Sequence, residues 1–148
     1  MGDGGGHHGQ GVSMVRIAAL MACHNRVAST TESVRFLKSQ AIPDASVDLF
    51  LVDDGSSDGT AQAVCDLVPH ATILTGDGNL FWCGGVRWAF EEAINRNYDF
   101  YLWLNDDTLL DQGALVRMFD TYREVARVAC EATIVVGSTR DPKTGQFT

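Results

Sequence analysis

Two carboxylate doublets invite a chemical reading: Asp53-Asp54 in LFLVDDGSSDGT and Asp106-Asp107 in LWLNDDTLL. Each follows an apolar run, and like charges side by side there repel, so the pairs call for a use. Hard divalent cations such as magnesium and manganese take oxygen ligands. They need only one or two protein carboxylates, because water and phosphate complete the shell. Asp106-Asp107 suits that role. Asp107 or Thr108 would equally serve to cap a helix beginning near Leu109, and both tasks can coexist. Asp53-Asp54 suits a second metal, a sugar hydroxyl or base, or helix capping. Neighbours at a strand end point to opposite sides, so they do not form the opposed acid–nucleophile pair of a glycosidase.

Other groups are weaker signals. His24 stands just past the first apolar run, beside Cys23, and adjacent residues do not make a thiol-protease pair. The segment TGDGNLFWCGG lacks a third glycine where a dinucleotide fingerprint needs one, and no Gly-Lys-Ser/Thr follows for a P-loop. Gly84-Gly85 ahead of a helix would still let backbone N–H groups approach an anion, with Arg87 near by.

These residues must be positioned by alternating strands and helices. Val15–Cys23 reads as a strand buried on both faces. Ser29 with Glu32 forms a capping box, opening a helix to about Gln40. A second strand spans Val47–Val52, and Asp58-Gly59-Thr60 opens a helix to about Leu67. A short third strand covers Ala71–Leu74. After the glycine-rich loop, Gly76 to Gly85, a helix runs from about Val86 to Arg96. Phe100–Leu104 is a fourth strand, Leu109 to about Val128 a helix, and Ala132–Val136 a fifth strand. Repeated strand–helix units imply right-handed crossovers and a mostly parallel sheet. Ligands then sit beyond the carboxyl ends of the strands, where both doublets, His24 and the glycine-rich loop all fall.

The bulk properties set limits. The chain has 148 residues, 45% hydrophobic and 20% charged, enough for one domain with a sizeable core. Net charge is −8, against general nucleic-acid binding. Cys23, Cys65, Cys83 and Cys130 lie far apart, with no zinc spacing, and read as reduced cytosolic thiols. No apolar run reaches the roughly 18 residues a membrane span needs. Residues 1–13, glycine-rich and polar, are expected to be a disordered leader or tag remnant, and 14–148 the domain.

The segments ALMACHNR, LFLVDDGSSDGT, GNLFWCGGVRWAFEEA and LWLNDDTLL, in this order, resemble glycosyltransferase family 2 over nearly all of residues 15 to 148. The resemblance implies the GT-A fold, a Rossmann-like α/β/α sandwich of three layers with a mostly parallel sheet. It implies an enzyme that moves a sugar from a nucleotide-diphosphate donor to an acceptor hydroxyl, with inversion and with Mn2+ or Mg2+. The acceptor is a glycan, a lipid-linked molecule or another hydroxyl compound. By the same resemblance His24 lies against the base, Asp54 accepts from it, and Asp53 supports the nucleoside pocket. Asn79, Gly84 and Gly85 line the sugar and phosphate side. Asn105-Asp106-Asp107 stands for the family's DXD motif, with Asp106 on the ribose or donor sugar and Asp107 on the metal. Asn105 departs from the acidic first position.

In the family the general base follows the fifth strand, so it is expected beyond Thr148. The chain therefore reads as the donor-binding part of a longer, truncated enzyme. The cytoplasm is the expected location, with the inner face of the cytoplasmic membrane as an alternative. No amphipathic basic helix argues for membrane association, which stays open. A non-catalytic nucleotide-binding or interaction module of the same fold and a nucleotidyltransferase are the competing readings. A receiver domain fits poorly.

Overall fold

The computed structural model describes residues 14–128, 133–141 and 143–147. Four strands, β1 (Val15–Cys23), β2 (Ala45–Asp53), β3 (Thr72–Thr75) and β4 (Phe100–Trp103), form one sheet in the order β3-β2-β1-β4. Every pairing in it is parallel. The helices are α1 (Val27–Lys38), α2 (Thr60–Leu67), α3 (Phe81–Ala93), extended by a 3-10 turn to Arg96, and α4 (Ala114–Ala126).

Both central strands are apolar on both faces because both faces are covered. Ala19, Met21, Leu49 and Leu51 point to one side, where Val34 and Leu37 of α1, Val64 of α2 and Leu115 of α4 pack. Ala18, Leu20, Ala22, Phe50 and Val52 point to the other, against Val86, Ala89 and Ala93 of α3. Odd and even positions thus serve two cores, giving the expected three layers. The register sets Cys23 level with Asp53, and Asp53 level with Thr75. Trp103 pairs with Leu20, so Asn105, Asp106 and Asp107 emerge at the same end of the sheet.

Three helix starts and one strand differ from expectation. α1 begins at Val27 and not at the Ser29–Glu32 box, since no side chain of its own caps it. Asp58, from the loop after β2, accepts the Val27 N–H at 2.9 Å instead. α3 begins at Phe81, which places Gly84 and Gly85 inside the helix and not in a loop before it. The Asp54 carboxylate receives the Leu80 and Phe81 amides and fixes that early start. α4 begins at Ala114 and not near Leu109, because Gly113 at φ +71° starts it and the preceding turns are tied to α1. Gln40, two residues past the end of α1, donates to the Asp111 carbonyl and accepts from the Leu115 N–H. The expected fifth strand does not form over Thr133–Val136, and Ala132 lies outside the described residues. Ile134 and Val136 are 90% and 83% exposed, so no sheet neighbour covers them there. Residues 1–13 also lie outside the described residues.

Candidate functional site

At the carboxyl end of the sheet, strand alternation separates the first doublet. Asp53 continues the odd, α1-facing row, and its Oδ1 accepts the Ser56 N–H at 2.9 Å. Asp54 continues the even, α3-facing row. Its Oδ1 accepts the Gly78 N–H at 2.8 Å, and its Oδ2 accepts those of Leu80 at 2.9 Å and Phe81 at 3.1 Å. Both carboxylates are buried. Asp54 is therefore the N-terminal anchor of α3, where a negative charge meets the positive end of the helix. It also holds Phe81 at φ +53°, a left-handed conformation that costs a non-glycine residue about 1–2 kcal/mol. The expectation that Asp54 accepts from a base thus meets a carboxylate with three hydrogen bonds already made. Oδ1, with one, retains acceptor capacity.

His24 is exposed just past β1, and its edge is fully engaged. Asn25 Oδ1 accepts the Ser57 N–H at 2.7 Å, which orients the amide so that Nδ2 faces His24 Nε2 at 3.0 Å. Nε2 is then the acceptor, and Nδ1–H donates to the Asp54 carbonyl. With both ring nitrogens engaged, the ring faces are left over for contact. The Asn25 N–H donates to Ser56 Oγ at 2.8 Å, so the loops after β1 and β2 are stitched together. Asp58 completes the seam. Besides Val27 it accepts the Thr60 hydroxyl and the Thr60 N–H, so one carboxylate serves the starts of α1 and α2. The Thr60 hydroxyl first, then the Val27 amide, hold its carboxyl below the usual aspartate range.

The second doublet lies across an open cleft lined by Arg26, Trp82, Asn105, Asp106 and Asp107. α1 supports it from beneath: the Ser33 hydroxyl donates to the Thr108 carbonyl at 2.8 Å, and Thr30 Oγ1 lies 3.5 Å from Asp106 Oδ2. Arg26 Nη2 donates to Asp107 Oδ2 at 2.8 Å, and its Nη1 stands 3.5 Å from Asp106 Oδ1. Burial pushes the Asp106 carboxyl above its ordinary range. Arg26 pulls it back, and Asp107 adds to the rise. Trp82 and Trp103 form an exposed edge-to-face pair at 6.4 Å beside this cleft.

The fold therefore gathers His24, Asp53 and Asp54 on one side of the strand ends, and Asp106 and Asp107 on the other. Asn79 lies in the exposed loop after β3, its N–H on Asp77 Oδ1 at 3.1 Å. Gly85 does not face the cleft. A Cβ there would stand 2.6 Å from Ala22 Cβ, so Gly85 brings α3 close to β1. Gly84 is half-buried in the same helix and packs near Leu80. Asn25 and Arg26 stand in the strand-end segment Cys23-His24-Asn25-Arg26, which the sequence marks as a candidate ligand element without a role for either residue. An arginine two positions beyond the strand-end histidine was the available signal.

The acidic pair fits a divalent cation. Its donors are carboxylate oxygens, the choice of magnesium and manganese, and a guanidinium already spans both residues where positive charge is required. Among the described residues no larger group of His, Cys, Asp or Glu converges on a metal position.

Comparison with known proteins fits these findings. Residues 18–146 match the sequence profile of Glycosyl transferase family 2. A poly-beta-1,6-N-acetyl-D-glucosamine synthase from Staphylococcus epidermidis is 26% identical over 109 residues, 73% of this chain and 26% of that protein. The crystal structure of S. aureus TarS 1–349 superimposes with a TM-score of 0.62 at 20% identity, over 74% of this chain and 33% of that one. Mannosyltransferase PcManGT from Pyrobaculum calidifontis, solved with GDP-Man and Mn2+, gives 0.64 at 18% identity, over 87% of this chain and 36% of that one. The chain thus spans about a quarter to a third of the length of these proteins. With its parallel three-layer sheet and the profile match across most of its length, the chain belongs to glycosyltransferase family 2.

Proposed function

We propose that this chain forms the donor side of a glycosyltransferase that binds a nucleoside-diphosphate sugar at the carboxyl ends of β1, β2 and β4. The observation that carries the reading is the convergence of the hydrogen-bonded seam at His24 and Asp54 with an acidic pair at one sheet end. TarS has been solved with UDP-GlcNAc and PcManGT with GDP-Man and Mn2+, which supports a nucleotide-sugar ligand here. His24 offers a ring face to the base, since both its nitrogens are already bonded. Asp53 and Asp54 shape the nucleoside pocket, with the remaining capacity of Asp54 Oδ1 turned to the base. Asn79 borders the sugar and phosphate side. Gly84 and Gly85 act through the placing of α3.

Asp107 and Asp106 would hold Mn2+ or Mg2+, with Asp106 also close to the ribose or donor sugar. The cation would offset negative charge developing on the diphosphate as the anomeric bond breaks. An acceptor hydroxyl attacking the opposite face gives inversion, with a carboxylate base supplied from outside the described residues. The acceptor is a glycan, lipid-linked molecule or other hydroxyl compound. No helix among the described residues is long and apolar enough to cross a membrane.

Calorimetric titration with UDP-, GDP- and dTDP-sugars, with and without manganese, tests this reading. One donor class should bind, and more tightly with the metal. Absence of binding by all three rejects it. Asp107→Ala should abolish the manganese enhancement while leaving metal-free nucleotide binding within about twofold. Unchanged enhancement in that variant would reject the metal assignment.

A further inference from the structure

The geometry points to Arg26 as an internal counter-cation that the divalent metal must displace, so metal uptake is an exchange and not the filling of a free site. The inference rests on the metal assignment to Asp106 and Asp107. Arg26 immediately precedes α1, and its guanidinium reaches Asp107 Oδ2 at 2.8 Å and Asp106 Oδ1 at 3.5 Å. One planar group thus bridges the two residues. Asp106 is buried and half of the Arg26 side chain is exposed. The carboxylate is fixed from beneath by α1 and the arginine is free to leave, so the arginine is the partner that moves.

The charges give the exchange its logic. Two carboxylates with no cation between them repel, and one of them is shielded from water. Arg26 relieves that cost in the metal-free chain. A divalent ion would bring a second positive charge against the guanidinium, so the two cannot share the same oxygens. Released from the acidic pair, Arg26 remains in the lining of the same cleft, where a diphosphate delivered with the metal would supply the replacement anion. Metal and nucleotide then assist one another: the metal frees the arginine, and the nucleotide gives it somewhere to go.

The test uses Mn2+ alone, by calorimetry and by the electron paramagnetic resonance of free Mn2+, on the wild type, Arg26→Gln and Asp107→Ala. Circular dichroism checks that each variant is folded. Arg26→Gln should bind Mn2+ roughly tenfold more tightly than the wild type, and Asp107→Ala should not bind. In the wild type labelled with 15N-arginine, saturating Mg2+ should also shift the Arg26 guanidinium signals to those of a solvated side chain. Binding that is lost in Asp107→Ala but unchanged or weakened in Arg26→Gln overturns the exchange and leaves the metal assignment standing. So do guanidinium signals that ignore Mg2+. Mn2+ binding that survives in Asp107→Ala, or is missing from both wild type and Arg26→Gln, overturns the metal assignment and the exchange with it.

Discussion

The two residues of the first doublet do different work although they are adjacent. Asp54 takes three backbone N–H groups, and Asp53 takes the Ser56 N–H. In Asp54→Asn the amide nitrogen must face a donor, so at least one part-buried N–H loses its acceptor. That should cost about 2–3 kcal/mol of stability in urea unfolding, against about 1 kcal/mol for Asp53→Asn. A larger loss for Asp53→Asn would show that the wrong carboxylate has been placed under α3. Cys23 gives a pH signature. Burial first, and then the carboxylates of Asp53, Asp106 and Asp58, raise its thiol to about 12. The folded chain keeps this proton where the unfolded thiol loses it. The stabilisation is therefore complete below about pH 9 and falls away as pH rises towards 12. Cys23→Ala should flatten that part of the stability profile. An unaltered slope would mean that other groups produce it.

At the scale of elements, the close approach of α3 to β1 depends on Gly85. A Cβ at 2.6 Å from Ala22 Cβ must push helix and strand apart, so Gly85→Ala should destabilise by about 1–3 kcal/mol in thermal unfolding. Ala22→Gly in the same chain should restore part of the loss, and additive losses would argue against this contact as the cause. Strands and helices differ in how well the sequence reveals them. The doubly apolar run of β1 was legible because burial on both faces leaves a continuous pattern, and β2 and β4 followed suit. The start of α2 at Thr60 was legible, but those of α1, α3 and α4 were not. The Ser29–Glu32 box was a sound local signal, but α1 takes its cap from Asp58, 31 residues from Val27. α3 takes its own from Asp54, 26 residues before Leu80. Caps supplied across the fold leave no local trace. The carboxylates of the site were readable as strand-end doublets. Arg26 was legible only as part of the segment after β1, because its pairing with Asp107 is a contact 81 residues away.

At the scale of the molecule, an acidic chain with net charge −8 is proposed to gather a highly anionic ligand. Local positive charge must do this, from the cation and from Arg26, while the general field opposes it. Manganese and a nucleoside diphosphate should therefore raise the melting temperature together by more than the sum of their separate effects. A combined shift of roughly 5 °C or more is expected near saturation. Strictly additive shifts would show that the two ligands do not complete a common site.

One consequence of the seam between the loops after β1 and β2 concerns how such a pocket can diversify. His24 and Asn25 are bonded to Asp54, Ser56 and Ser57, and Asp58 is shared by the starts of two helices. A substitution in one loop alters the setting in which the other is selected. Changes at 24–27 and at 54–60 are thus epistatic, and alleles of the two segments should travel as matched pairs. A library that randomises one loop alone will recover few folded pockets, and chimaeras that exchange both together will recover many more.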